Sequence, residues 1–272
     1  MRQRAPRHAA FGSIAAALPL LLAAALLLAV ALLGGCAART APPLSAERVS
    51  GPQTFVVSGA LEPYRVRGAA QFTYRGETQS GELLLEGLPG PAFHIQLRAR
   101  LTGSLALDVR LNATDLLVVD YVHESYVLGS NTPGLREELF SLDLTPLDLQ
   151  IAVTGRVAAD VFQAGHGTRL PGEARFHGDG ADYRFTLDAA GLPSEWVKVR
   201  DGAPVLRVEY RSTVEAQPAS GPPLRLPERI RVYAGQPQPR LVLGVQEWQL
   251  AADIPAIGFI PPPEVLARFR AD

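Results

Sequence analysis

The chain has 272 residues, with 26 Lys and Arg against 27 Asp and Glu and a formal net charge of −1, a balance that gives no basis for nucleic-acid binding. Hydrophobic residues make up 47%, enough for a sizeable core, and the single cysteine excludes an intramolecular disulfide. The 25 glycines and 23 prolines imply many turns and an all-β body. Lys198 is the only lysine, and this bias towards arginine reads as coding preference rather than chemistry.

The N-terminus carries Arg2, Arg4 and Arg7, then a nearly uncharged apolar run over residues 9–33, closed by Leu33-Gly34-Gly35-Cys36. These four residues resemble the lipobox of bacterial lipoproteins. The resemblance implies that residues 1–35 are a signal peptide removed before Cys36, and that Cys36 carries acyl chains. More than one chain makes such anchoring stable. Ala37 after the cysteine implies the periplasmic face of the outer membrane. The residues alone leave a second reading open, since 9–33 is long enough to span a bilayer as a helix, with Pro19 inside it. Residues 36–55 are small, polar or proline-containing and read as a flexible tether. The folded domain is expected over 56–272, with no second apolar run of membrane-spanning length.

Alternation begins at Tyr64. Tyr64, Val66, Gly68, Ala70, Phe72 and Tyr74 share one side of a strand, and Arg65, Arg67, Gln71 and Thr73 share the other. Gly76 turns the chain into a second strand over 78–86, and residues 88–91 break it. Phe93, Ile95, Leu97 and Ala99 form the dry side of a third strand; Leu105, Leu107, Val109 and Leu111 form that of a fourth. Residues 116–121 are a fifth. Five successive strands, each with one wet and one dry face, predict an antiparallel meander.

A helical pair follows. Thr132-Pro133 and Thr145-Pro146 are N-cap and first-turn pairs, with Asp148 suited to the positive helix end and Gly155 to its stop. Leu135, Leu139 and Phe140 share a face of the first helix; Leu147 and Ile151 share a face of the second. Strand patterns resume at 174–176, 183–187, 196–200, 205–210, 229–233 and 240–250, and a proline-rich tail closes the chain. This order predicts a mainly β fold with an α lid: one curved antiparallel sheet, an incomplete β-barrel of about 10–11 strands, partly covered by short helices. The uncovered apolar face is either filled by side chains or left as a cavity.

That order behind a lipobox resembles the LolB family of outer-membrane lipoprotein receptors and the related periplasmic carrier LolA. The residues that carry it are Tyr64-Arg65-Val66-Arg67-Gly68-Ala69, the stretch 135–157 with Leu144-Thr145-Pro146-Leu147 and Gly155-Arg156, and Leu226-Pro227-Glu228-Arg229-Ile230 followed by Trp248. The resemblance spans about residues 60–250. It implies a cavity for the acyl chains of a lipoprotein delivered by a LolA-like carrier, a monomer, no cofactor and no enzymatic step. Candidates for the cavity wall are Ala70, Phe72, Leu97, Ala99, Leu107, Leu139, Ile151 and Phe185. The family's membrane-contacting loop corresponds to Leu101 and Thr102, with Thr102 nearest the family's leucine position. Ala152-Val153-Thr154 replaces the tryptophan often found near the end of the second helix, and residues 253–272 extend past the family's closing strand. The alternative is a structural or assembly lipoprotein of the envelope that keeps the fold with a filled interior.

No catalytic or metal-binding pattern competes. His94, His123, His166 and His177 lie apart, without metal-ligand spacing. Asp179-Gly180-Ala181-Asp182 reads as a hairpin turn, and Glu137-Glu138 as a solvated helix face. No nucleophile elbow or phosphate loop is present.

Overall fold

The computed structural model describes residues 56–57, 62–90, 92–219 and 222–272, all within the unit Ala46–Asp272. Leu33, Gly34, Gly35 and Cys36, the apolar run before them and the tether over 36–55 lie outside the described residues. Among the described residues no helix is long and apolar enough to cross a membrane.

The alternating segments form strands β2 (Tyr64–Tyr74), β3 (Glu77–Leu88), β4 (Ala92–Arg98), β5 (Leu105–Leu111) and β6 (Asp115–Asp120). β7 (Ser125–Ser130) extends this first meander by one strand that the sequence pattern did not reveal. The second meander contains β9 (Thr168–Leu170), β10 (Glu173–Gly178), β11 (Ala181–Leu187), β12 (Pro193–Arg200), β13 (Ala203–Ala216), β14 (Leu224–Tyr233) and β15 (Leu241–Leu250). β15 pairs antiparallel with β2, so both meanders join in one open, curved sheet that runs from β9 to the two-residue β16 (Arg270–Ala271) beside β7. The seam is tight. At Gly68 the partner strand shifts register between Val245 and Glu247, and a Cβ on Gly68 would lie 2.1 Å from the Gly244 carbonyl oxygen. Only glycine fits there.

Three helices and a short ribbon occupy the sheet's inner side. The helices are α1 (Pro133–Phe140), α2 (Pro146–Thr154) and α3 (Ala159–Ala164), and β1 (Val56–Val57) pairs parallel with β8 (Val157–Ala158). Both expected caps form: the Thr132 and Thr145 hydroxyls accept from the backbone N–H groups of Leu135 and Asp148. The expected amphipathic second helix does not. In α2 every residue except Leu147 is buried, Asp148, Gln150 and Thr154 included, so the helix has no wet face. The half of the sheet beside it is filled by aromatic rings. Phe176 stacks on Tyr183 at 4.5 Å and 3°, Phe185 and Trp196 continue the layer, and the Trp196 indole N–H donates to the Tyr210 hydroxyl at 3.0 Å. The Tyr210 hydroxyl in turn donates to the Ile151 carbonyl at 2.8 Å, tying β13 to α2.

The outer face is not uniformly wet as the alternation implied. Leu117 and Val119 point outward from β6, yet both are 0% exposed. The C-terminal extension covers them: Val265 of α4 (Pro263–Arg268), Phe259 and Phe269 complete this second apolar cluster. β16 then closes the β7 edge, with the Asp272 N–H donating to the Tyr126 carbonyl. Covering an edge in this way removes a template for association.

Candidate functional site

Beneath α1 the first meander keeps what the second has filled. A cavity of about 100 Å³ lies between Phe140, Leu142, Leu144 and Leu149 on the helical side and inward residues of β2, β3, β4, β5, β6 and β15 on the other. Its wall is almost wholly apolar, with Arg136 and Arg240 as its charged members. α1 closes it through Phe140, whose ring lies 6.4 Å from that of Phe72 and 5.9 Å from that of Tyr74. The Arg75 N–H donates to the Leu139 carbonyl at 2.6 Å, and the αL residue Ser141 ends the helix. Burial pushes the Tyr74 phenol up to about 12, against the opposing charge of Arg75.

Of the residues singled out for the wall, Ala70 and Phe72 line the cavity. The other six lie elsewhere. Leu97 and Leu107 face each other two cross-strand pairs nearer the hairpin tip than Ile95 and Val109, which do line it. Leu139 and Ile151 are buried in the side-chain core, Phe185 belongs to the aromatic layer, and Ala99 closes the β4–β5 turn through backbone bonds with Gly103 and Ser104. Strand parity groups Leu97, Leu107 and Phe185 with the buried side chains of their strands, but it cannot say which part of that face stays open. Arg136, Leu142, Leu144, Leu149 and Arg240 escaped the sequence reading. Only Arg240, a lone cation opening an apolar strand, left a signal.

The antiparallel connections bring the turns at 75–76, 99–104, 121–124 and 234–240 to one end of the sheet. Phe72, Thr73 and Arg240 carry one side of the cavity wall towards this end, whereas Leu111 and Leu116, beside the opposite turn at 112–114, carry the other side away from it. Leu101 sits in the 99–104 turn and is 100% exposed; Thr102 beside it is exposed, as are Arg98 and Arg100.

Two ionic clusters lie away from the cavity. The only lysine, read from sequence as without chemical purpose, is buried. Lys198 Nζ is 2.7 Å from Asp148 Oδ2, and the Tyr183 hydroxyl donates to Asp148 Oδ1 at 2.7 Å. Burial and then the Asp148 charge hold the Tyr183 phenol far above its ordinary range. On the outer face, Gln249, Arg65, Glu86, His94 and Arg110 oppose one another across five strands. His94 bridges Glu86 at 3.1 Å and Asp108 at 3.2 Å. Arg110 donates to the Gly258 carbonyl at 2.9 Å, fastening the tail over this row. These are ladder contacts without a cleft. Among the described residues no group of three His, Cys, Asp or Glu side chains could hold a metal ion.

No family model matches the chain, and no curated protein matches it. Several solved structures are similar to it, among them the following three. One is from Vibrio parahaemolyticus and is described as an outer membrane lipoprotein-sorting protein domain; at 10% identity and a TM-score of 0.45, the match covers 72% of this chain and 88% of that one. A DUF1329 family protein from Desulfovibrio piger matches at 8% identity and a TM-score of 0.45 over 72% and 88%. A LolA superfamily protein from Nitrosomonas europaea matches at 11% identity and a TM-score of 0.41 over 77% and 91%.

Proposed function

We propose that this protein holds lipoprotein acyl chains beneath α1 and passes them to a membrane at the end of the sheet that carries Leu101, in the manner of the LolB family. The observation that carries this reading is an apolar cavity on the inner face of the sheet whose wall reaches, through Phe72 and Arg240, towards the end that carries the fully exposed Leu101. The driving force is removal of chain from water, with no bond made or broken. Leu101 enters the bilayer, while Arg98 and Arg100 meet anionic head groups. A lipid on Cys36, with residues 36–55 as tether, keeps the domain at the periplasmic face of the outer membrane, where a LolA-like carrier delivers cargo.

The cavity of about 100 Å³ is smaller than ordinary ligand sites of roughly 300–1,000 Å³. That size favours the second reading, a structural lipoprotein with a nearly filled interior. Acyl binding therefore requires displacement of α1. The test is transfer of a fluorescent diacylated lipopeptide between donor and acceptor vesicles. The protein should accelerate it; Ala70→Phe should abolish the acceleration, and Leu101→Asp should slow delivery while leaving capture intact. A folded protein that neither captures nor transfers the lipopeptide leaves the structural reading. Palmitate labelling of cells expressing Cys36→Ala should find no label on the protein.

A further inference from the structure

We infer that the cavity beneath α1 selects an acyl chain bearing an anionic head, a carboxylate or a phosphate monoester, with Arg240 as the head-group receptor. This rests on the acyl-binding part of the reading above and goes beyond its lipoprotein cargo, whose ester- and amide-linked chains carry no anionic head.

The two arginines in the cavity wall differ in their electrostatics. Arg136 is 5% exposed and neutralised: its Nε donates to Asp143 Oδ1 at 2.9 Å, and its Nη1 donates to Asn131 Oδ1 at 2.7 Å. Arg75, also at this end, is paired with Asp272 at 2.6 Å. Arg240 makes no ion pair and no side-chain hydrogen bond among the described residues. Its backbone is nevertheless fixed, because its N–H donates to the Val232 carbonyl at 2.8 Å and its carbonyl accepts from the Thr73 N–H at 3.2 Å. This half-buried cation is thus held at a set place with its charge unspent.

Its surroundings are divided. Arg240, Phe72 and Thr73 belong to the wall of the apolar cavity and also to that of a neighbouring polar groove of about 250 Å³, which Gln71, Thr78, Gln236 and Gln238 help to form. A guanidinium at such a boundary lays its stem on apolar surface and keeps its head in the polar medium. A ligand that spans the boundary needs a chain on one side and a group that accepts hydrogen bonds on the other. An anionic oxygen pair meets the guanidinium fork in two parallel bonds. A neutral or zwitterionic head gains much less there. The amides of Gln71, Gln236 and Gln238 add donors without adding charge.

The test uses the full-length protein in phosphatidylcholine nanodiscs and a photoreactive sixteen-carbon chain as free acid, methyl ester or lysophosphatidic acid. The readout is cross-link yield, with labelled peptides mapped to 70–73 and 140–149. The free acid should label about fivefold more than the ester, and Arg240→Gln should bring that acid-to-ester ratio close to one. Preference for the lysophosphatidic acid over the free acid would assign the site to a phosphate head, and the reverse to a carboxylate. Equal labelling by acid and ester, unaffected by Arg240→Gln but abolished by Ala70→Phe, would overturn the head-group inference and keep acyl binding. Absence of labelling by every probe would overturn the acyl reading itself.

Discussion

Replacing Lys198 by methionine tests the ionic centre of the fold. Lys198 and Asp148 are 1% and 0% exposed, with their charges 2.7 Å apart, and Lys198 Nζ also lies 5.4 Å from the centre of the Tyr183 ring. Methionine keeps most of the side-chain volume and leaves Asp148 as a buried anion. Removing one partner of a buried pair costs about 3–5 kcal/mol. Asp148 keeps two donors, the Tyr183 hydroxyl at 2.7 Å and the Thr145 N–H at 3.0 Å, so the lower end, about 3 kcal/mol, is expected. For a domain of this size that is a fall of roughly 6–12 °C in Tm. In chemical denaturation the midpoint should move while the slope stays constant. Adding Asp148→Asn removes the stranded charge, so the double variant should recover at least about 1 kcal/mol relative to the sum of the single variants. Lys198→Arg should also destabilise, since a planar guanidinium does not fit a space shaped around an ammonium. An unchanged midpoint for Lys198→Met, or strict additivity in the double variant, would refute the argument that this pair is a coupled buried charge.

Stability should follow pH through His94 and Asp108. Burial alone would lower the His94 value, but the bond and charge of Asp108 and the bond to Glu86 outweigh it and raise it. Its contribution is therefore complete below the ordinary imidazole value of about 6.5 and is lost as pH rises through the raised value. Burial would raise Asp108, but bonds from His94 and Arg110 outweigh it and lower it. That contribution is present above about pH 3.9 and is lost as pH falls through the lowered value. Denaturation midpoints of His94→Gln should lose the decline expected of the wild type as pH rises above about 6.5. Gly68→Ala should cost about 2–3 kcal/mol through its clash with the Gly244 carbonyl, whereas Gly244→Ala, with open space around its Cβ, should be neutral or slightly stabilising; thermal denaturation of both separates a tight seam from a generic glycine effect. Val265→Ala should cost about 2 kcal/mol by opening the cluster over Leu117 and Val119 and should speed amide exchange in β7, which β16 otherwise shields.

The parts of the fold that were legible in the sequence are those set by local rules. Period-two alternation marked β2 through its full length, and the Thr-Pro pairs fixed the starts of α1 and α2 to the residue. β7 escaped because Ser125–Ser130 is short, contains Gly129 and owes its pairing to β6 and the tail rather than to its own pattern. The burial of α2 on all sides escaped for a related reason: Pro146–Thr154 reads as two-faced only if a wet side is assumed. The cavity was half legible. Its strand residues follow from parity, but the place where packing fails depends on how far the aromatic layer extends, and Phe176, Tyr183 and Trp196 fill one half of the sheet while Ala70 leaves room in the other. Lys198 carried the clearest overlooked signal, a single lysine in a chain that otherwise uses arginine.

The seam between β2 and β15 has a kinetic consequence. The first meander is local in sequence, but its β2 edge stays bare until the last long strand arrives, since that pairing joins Phe72 to Leu241. Closing so long a segment makes this the slow, entropically expensive step of folding. Until then each chain displays one unpaired strand edge and owns the strand that fits it. Two chains at high concentration can satisfy each other's seams by exchanging β15 together with the second meander. The same register that completes the monomer thus specifies a domain-swapped dimer as its principal misassembly.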